Sequence, residues 1–391
     1  MTKLNLLLLF VPLALLAEAF GWRPEATFAL AFLAIIPLAA LLSEATEVLA
    51  HFTGPKLGGL INATFGNATE LILLITLLRA DQFAVVKASI AGAILTALLL
   101  AVGLSQLLGG ARHGVQHFNR EDAGMSTNMM TLAVIGLVLP TILGMVHDAE
   151  LPADGGAVER AFPALDELSL VIAGVLMLLY LLYLLFQFRQ ATAPDAAPAA
   201  QPAQGAATES GSAGQGRAMA ADPEPFELGI VELPRWSRRK AVILLLAASV
   251  GIAVVGEALS GSIEPVGASL GLGALFMGVI VLPLVGMLPE ILVGVRAARA
   301  DRMDLTLATL TGSATQIALF VAPLLVFLSL FSGHELTLAF NVFEVVALAL
   351  AVLVVILIAE DGKSNWLEGT QLLALYAILA AWFFFLPPGM P

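Results

Sequence analysis

The sequence predicts an all-α polytopic membrane protein with about 11 transmembrane helices, an extra first helix followed by two inverted five-helix repeats. Composition is the first observation behind this prediction: 59% of the 391 residues are hydrophobic and 12% are charged, and the mean hydropathy is +0.94. Soluble globular domains do not reach these values. The second observation is a series of apolar runs long enough to cross the roughly 30 Å hydrocarbon core of a bilayer as helices. The third is an internal repeat of the sequence.

The first apolar run, within residues 1–25, is predicted as an extra N-terminal transmembrane helix. Lys3, a short leucine-rich run and Ala17-Glu18-Ala19 also fit a cleavable signal peptide. Either interpretation leaves ten further spans, which form two sets of five. The predicted spans lie near residues 4–20, 26–43, 57–78, 83–108, 126–146, 168–188, 240–260, 271–295, 304–331, 337–359 and 367–386.

Basic residues set the expected orientation. With the N-terminus in the cytoplasm, most of the 18 Lys and Arg residues lie at or near the cytoplasmic face, and Arg23, Arg79, Lys87 and Arg160 lie near the other. The positive-inside rule therefore predicts a cytoplasmic N-terminus and an external C-terminus. Short loops and the lack of a long N-terminal regulatory tail are typical of a protein of the prokaryotic inner (plasma) membrane.

Composition also divides the chain and limits its chemistry. Residues 190–239 form a predicted disordered cytoplasmic linker, rich in Ala, Pro, Gly, Gln and Ser. It separates a first five-helix repeat, residues 26–189, from a second, residues 240–391. The absence of cysteine excludes disulfides, iron–sulfur clusters and thiolate zinc sites. The net charge of −12 says little about function, because many of the acids lie in predicted loops and the linker. No nucleic acid is expected as a partner.

Two acidic residues, Glu70 and Glu290, stand inside apolar runs, and each is followed by Arg-Ala-Asp, at residues 79–81 and 299–301. Adding 220 to a position of the first half also places Gly66 on Gly286. Because each half holds an odd number of spans, the two halves enter the membrane in opposite senses. Inverted repeats of this kind are typical of secondary transporters, whose binding site lies near the midplane between interrupted helices.

Helix-breaking residues accompany both acids. Gly58-Gly59 and Gly66 precede Glu70, and Pro283, Gly286 and Pro289 precede Glu290. Proline removes a backbone donor and so frees carbonyl oxygens, which are ligands for hard cations such as calcium. Taken alone, each break could serve helix packing. Beside two carboxylates that each cost about 2.5–3.5 kcal/mol to insert, the breaks indicate cation binding.

These residues resemble the cation/proton exchanger branch, usually called CAX, of the calcium/cation antiporter superfamily. The segment 54–70, GPKLGGLINATFGNATE, is similar to the first family signature, which contains GNAxE. The segment 312–323, GSATQIALFVAP, is similar to the ninth-helix signature, and residues 341–346 and 361–369 are similar to the C-terminal part of the family. The resemblance covers most of the chain outside the linker.

The resemblance implies an eleven-helix transporter that exports Ca²⁺ from the cytoplasm in exchange for H⁺ by alternating access, with no cofactor and no enzymatic activity. It implies that Glu70 and Glu290 bind Ca²⁺ and protons alternately, with Asn67 as an amide ligand and Gln316 as a polar residue of the same core. Ser89, Thr309 and Ser313 would be weaker oxygen ligands or line the path. The remaining candidate pathway residues follow from their positions: Asn62 (ligand or packing amide) and Glu47 and Glu257 (ion entry or ordinary interfacial acids).

The second repeat departs from the family pattern. Where the family has GNAAEH, this chain has Met287 in place of the asparagine and Ile291 in place of the histidine. We therefore expect an asymmetric site with fewer ligands. Exchange of a monovalent cation, Na⁺ or K⁺, for H⁺ stays an alternative, because a lower ligand count weakens calcium selectivity.

Two other classes of protein can place acids in a membrane. An intramembrane hydrolase could use two carboxylates as acid and base, and a passive channel could line a pore with them. A hydrolase has no need for an inverted duplication, and the sequence holds no GxSxG nucleophile motif. Antiport is therefore the favoured function.

Overall fold

The structure is a computed structural model that describes residues 6–150, 163–190, 236–331, 333 and 335–386. Nearly all of the predicted linker, residues 190–239, lies outside the described residues. The helices in chain order are α1 (Leu6–Ala19), α2 (Pro24–Phe65), α3 (Ala68–Arg79), α4 (Phe83–His113), α5 (Arg120–Glu150), α6 (Pro163–Gln190), α7 (Arg238–Leu270), α8 (Ala274–Gly286), α9 (Leu288–Arg299), α10 (Met303–Ser329), α11 (Val342–Ala359) and α12 (Trp366–Phe385).

The prediction of an all-α membrane protein is confirmed. Among the described residues, eight helices are long and apolar enough to cross a membrane, and the bent pair α8 and α9 can form a ninth span. Helix α1 is apolar but shorter. The count of eleven spans and the repeat boundaries stay predictions.

The predicted second and third spans meet within one helix, α2. A Cβ added at Gly58 would lie 2.5 Å from the carbonyl oxygen of Ala50, eight residues earlier. In a straight helix eight residues extend about 12 Å. Helix α2 therefore turns sharply between Ala50 and Gly58, where the sequence predicted the loop between two spans.

The internal repeat extends to local backbone geometry. Helices α3 and α9 both have 12 residues. Each ends in a turn whose aspartate has a left-handed backbone, with φ of 56° at Asp81 and 59° at Asp301. A π-helical segment follows at corresponding places, Thr96–Ala101 in α4 and Ile317–Val321 in α10.

The two repeats run in opposite directions. Helix α4 starts just after Asp81 and ends at His113, whose Nε2 lies 2.9 Å from the carbonyl oxygen of Arg299 at the end of α9. Since α4 has 31 residues, it extends about 46 Å. Asp81 and Asp301 therefore lie at opposite faces of the molecule. We call these the Asp81 face and the Asp301 face.

Helices α4 and α10 form the centre of the molecule. In their most apolar stretches 89% and 72% of the residues are buried, compared with 22% in α6. Small residues allow close packing around α4: a Cβ at Gly92 would collide with the backbone of Val279 in α8. This centre positions the breaks before α3 and α9.

A short antiparallel pair was not predicted. Strand β1 (Gln116–His117) pairs with β2 (Lys363–Ser364) and joins two loops. Gln116 also donates from Nε2 to the carbonyl oxygen of Ala298 and to Asp301 Oδ1, both at 2.8 Å. The strand pair therefore connects two loops at the Asp301 face to the end of α9 and to the turn that follows it.

Candidate functional site

Two interrupted spans meet at the centre of the molecule. Helix α3 begins at Ala68 after Gly66 and Asn67, and α9 begins at Leu288 after a bend of 61° between α8 and α9. Pro289 is tolerated there because the first turn of a helix makes no backbone bond through that nitrogen. Glu70 and Glu290 each lie in the first turn, where the helix dipole favours a negative charge.

The Glu70 side chain is buried. It is 5% exposed, and neither carboxylate oxygen makes a hydrogen bond among the described residues. A Cβ added at Gly286 would lie 3.0 Å from Glu70 Oε1. The carboxylate of the first repeat therefore rests against the break of the second.

Glu290 is half-buried, and its Oε2 is also buried without a hydrogen-bond partner among the described residues. The charges that act on it include those of Glu70 and Glu47, both acidic. Unpaired buried carboxylates are expensive unless a cation or proton neutralises them. The structure thus brings together the two predicted acids, with Glu47 in electrostatic reach.

Asn67 and Ser313 bridge the two repeats. Ser313 Oγ donates to Asn67 Oδ1 at 2.5 Å, and Asn67 Nδ2 approaches the Ser313 carbonyl oxygen at 3.4 Å. Gln316 lies on the same side of α10, since a Cβ at Gly66 would be 3.6 Å from its Oε1. Thr309, four residues before Ser313, is half-buried on α10.

The corresponding positions of the other repeat are apolar. The offset of 220 relates Asn67 to Met287 and Ser313 to Ala93, and both Met287 and Ala93 are buried. The sequence predicted the missing amide at Met287 but missed Ala93. Applying the same offset to Ser313 could have found it.

A cavity of about 30 Å³ adjoins Glu70 and is also lined by Ser89 and Ser260. Ser260, on α7, is a polar residue of the cavity that sequence reasoning missed, because α7 carries no repeat signature around it. Its hydroxyl and that of Ser89 are buried without hydrogen-bond partners among the described residues.

The remaining candidates lie nearer the surface. Asn62 is exposed on the last turns of α2. Glu257 is exposed on α7, where its charge acts on Glu18 of α1. Within the part of the chain that the structure describes, no group of three or more His, Asp or Glu residues is arranged to hold a metal ion. A bound cation would therefore need amide, hydroxyl, carbonyl or water oxygens beside the two carboxylates.

Comparison with known proteins places this architecture in a family. The family model described as sodium/calcium exchanger protein matches residues 25–189 and 240–385. The chain is 42% identical over 381 residues to a Ca(2+)/H(+) antiporter of Aphanothece halophytica, covering 97% of this chain and 96% of that protein. It is 35% identical over 379 residues to the Ca(2+)/H(+) antiporter ChaA of Bacillus subtilis (strain 168), covering 96% and 97%.

Solved structures give the same result. Native YfkE superposes with a TM-score of 0.77 at 31% sequence identity, covering 98% of this chain and 100% of that chain. The H+/Ca2+ exchanger CAX superposes with a TM-score of 0.69 at 15% identity, covering 98% and 91%, a likeness of fold. The chain belongs to the sodium/calcium exchanger family.

Proposed function

We propose that this protein is a calcium/proton antiporter, a secondary active transporter that moves Ca²⁺ across the membrane in exchange for H⁺. The observation that carries the proposal is the pair of carboxylates at the starts of two inverted helices, the buried Glu70 and the half-buried Glu290. The relatives named Ca(2+)/H(+) antiporter, at 42% and 35% identity, support this function over an enzyme or a channel.

The exchange follows from competition for the same oxygens. One Ca²⁺ ion neutralises both carboxylates, and two protons neutralise them when the ion leaves. An empty, doubly ionised site would carry two unpaired charges through the membrane core, which is costly. Reorientation therefore occurs with either Ca²⁺ or protons bound, and this couples the two fluxes.

The further ligands come from the polar half of the site. Asn67 Oδ1 and the Ser313 hydroxyl, which bond to each other in this structure, turn toward an arriving ion, and Gln316 adds an amide oxygen. Carbonyl oxygens freed at the two breaks and water complete the shell of about six to eight oxygens that Ca²⁺ prefers. Thr309, Asn62 and Glu47 line the approach to Glu290.

In this proposal the site opens toward the Asp301 face. Because α3 runs from the centre to the Asp81 face, the residues before Gly66 approach from the Asp301 face, and here Asn62 is exposed. At the corresponding approach from the Asp81 face, Leu282 and Val285 of α8 are buried.

The Asp301 face is the cytoplasmic one in this proposal. Arg296, Arg299 and Arg302 lie around its α9–α10 turn, and Lys363 lies on the loop of β2. The positive-inside rule places such loops in the cytoplasm. The structure then represents the inward-open state of an integral membrane protein of the prokaryotic inner membrane.

Flux measurements on purified protein in proteoliposomes test the function. We expect Ca²⁺ to drive proton movement, read with a pH-sensitive dye, and Na⁺, K⁺ and Mn²⁺ to drive less. Glu70→Gln and Glu290→Gln should each abolish the Ca²⁺ response, whereas Glu264→Gln, an exposed acid of α7, should keep it. A response to Na⁺ or K⁺ alone would instead establish monovalent exchange, with Met287 and Ala93 as the reason.

A further inference from the structure

The cavity beside Glu70 lies on the side of the site that faces the Asp81 face. It is bounded by α3, α4, α7 and α8 and is lined along α3 by Leu73, Thr76 and Leu77, which follow Glu70 toward the Asp81 face. The cavity therefore extends from the Glu70 carboxylate in the direction opposite to the open approach at Asn62.

Three polar side chains of this cavity are buried and unsatisfied. Glu70, Ser89 and Ser260 are 5%, 7% and 3% exposed, and their side-chain oxygens make no hydrogen bonds among the described residues. A serine in a helix ordinarily donates to a carbonyl one turn earlier. Ser262 does so, at 2.8 Å from the carbonyl oxygen of Ala258 and 2.9 Å from that of Leu259.

Water satisfies such groups when the space permits it. A buried water needs two to four polar partners and about 10–15 Å³ of cavity space, so the cavity of about 30 Å³ holds about two molecules. The position of Ser260 is fixed by its own carbonyl oxygen, which accepts a hydrogen bond of 3.0 Å from Gln82 Nε2 in the α3–α4 turn. This contact fixes Ser260 at the end of the cavity nearer the Asp81 face, where its hydroxyl lines the cavity.

The lining does not suit a calcium ion. Besides the Glu70 carboxylate it offers the two serine hydroxyls and the hydroxyl of Thr76, which donates to the Leu73 carbonyl oxygen at 2.7 Å. The other lining residues are Leu, Ala, Pro and Gly. Ca²⁺ needs about six to eight oxygens and would lose most of its hydration here.

We propose that this cavity holds a chain of water molecules that conducts protons between Glu70 and the Asp81 face, with Ser89 and Ser260 as its positioning residues. A hydronium ion at the Ser260 end transfers a proton along the chain, and the last water gives its proton to a carboxylate oxygen of Glu70, which becomes the neutral acid. The reverse sequence returns the proton. Protons thus reach the site through a path that excludes Ca²⁺.

The path belongs to one repeat. Subtracting 220 from Ser260 gives Ala40, which has no hydroxyl to offer. On the side of Glu290 the open approach supplies solvent directly. This inference rests on the proposed function, since it assigns a route to one of the two transported ions.

Ser260→Ala tests the path, and Ser262→Ala is its matched control, with the same helix, the same 3% exposure and a hydroxyl already bonded to the backbone. We expect Ser260→Ala to slow Ca²⁺-driven proton movement by about tenfold, the factor that accompanies loss of one well-placed hydrogen bond. The slowing should be sensitive to pH at the Asp81 face. Ca²⁺ affinity, measured by calorimetry, should stay unchanged.

Ser260→Thr, which keeps the hydroxyl, should restore the rate, and Ser262→Ala should behave as the unmodified protein. A normal rate in Ser260→Ala overturns the proposal. A fall in Ca²⁺ affinity that matches the fall in rate also overturns it, because Ser260 would then be a calcium ligand or a packing residue.

Water access can be read without transport, which separates this inference from the proposed function. The chain has no cysteine, so Ser260→Cys and Ser262→Cys each introduce a single thiol. We expect the small thiol-reactive cation Ag⁺ to react with Ser260→Cys faster than with Ser262→Cys. Equal and slow reaction of both variants contradicts a hydrated cavity even if the protein exchanges Ca²⁺ for H⁺.

Discussion

At the break before α3, Asn67 bonds to Ser313 across the repeat interface, and the approaching helix α2 exposes Asn62. At the break before α9, Met287 takes the place of Asn67 and Ala93 that of Ser313, and the approaching helix α8 is buried through Leu282 and Val285. The backbone geometry is duplicated, but the polarity and the access are not. The comparison teaches that polar side chains from both repeats gather at the break before α3, while the break before α9 is lined by apolar side chains beside Glu290.

The largest effect on Ca²⁺ binding is expected where Gly286 of the second repeat contacts Glu70 of the first. Gly286→Ala places a Cβ about 3.0 Å from Glu70 Oε1, so the carboxylate must move by a few tenths of an ångström. We expect Ca²⁺ affinity to fall by at least tenfold, roughly the effect of losing one charged ligand contact. Isothermal titration with Ca²⁺ measures it.

Gly312→Ala serves as the control for that substitution, because a Cβ at Gly312 meets no atom within 4 Å. It should leave Ca²⁺ affinity unchanged. Equal affinity in Gly286→Ala and Gly312→Ala would show that the Glu70 carboxylate does not depend on the break of the second repeat.

The second prediction concerns adding, at the break before α9, the polar pair found at the break before α3. Met287→Asn alone buries an amide with no partner and should lower stability by about 1–3 kcal/mol. Adding Ala93→Ser supplies the hydroxyl that Ser313 supplies to Asn67, and should recover most of that loss. Thermal unfolding in detergent of the two single variants and the double variant gives the coupling energy.

The same double variant should bind Ca²⁺ more tightly than the unmodified protein, because a second amide and hydroxyl become available as ligands. Additive stability effects would contradict the correspondence of Met287 and Ala93 with Asn67 and Ser313.

The third prediction concerns access. In the cysteine-free chain, Asn62→Cys should react with a water-soluble thiol reagent at least about ten times faster than Leu282→Cys in the conformation described here, since solvent exposure controls thiol reactivity. Comparable rates at the two positions would remove the distinction between the open and the closed approach. A change of this ratio on addition of Ca²⁺ would report alternating access.

Much of this account follows from local sequence. The offset of 220 predicts both glutamates, the turns at Asp81 and Asp301 and the opposite sense of the repeats, because helix breaks and turns are encoded by nearby Gly, Pro and Asp residues. The same offset shows that Met287 replaces the amide of Asn67 in the second repeat. These features need no knowledge of which distant segments touch.

The rest depends on contacts between distant segments. The bond from Ser313 to Asn67 joins residues 246 positions apart, and the cavity at Ser260 forms where α7 packs against α3 and α4. The sharp turn of α2 at Gly58 lies within a segment that remains helical. No repeat or motif marks Ser260, so only the packed structure shows that its hydroxyl is buried without a partner among the described residues.

The most direct test of the central claim, that Glu70 and Glu290 exchange protons for Ca²⁺ at one site, is to count the protons released when Ca²⁺ binds to the purified protein in weakly buffered solution. We expect proton release in the unmodified protein and a release smaller by up to one proton in each of Glu70→Gln and Glu290→Gln, since each variant removes one titrating carboxylate. Two results would contradict the account: no proton release in the unmodified protein, or the same release in both variants as in the unmodified protein.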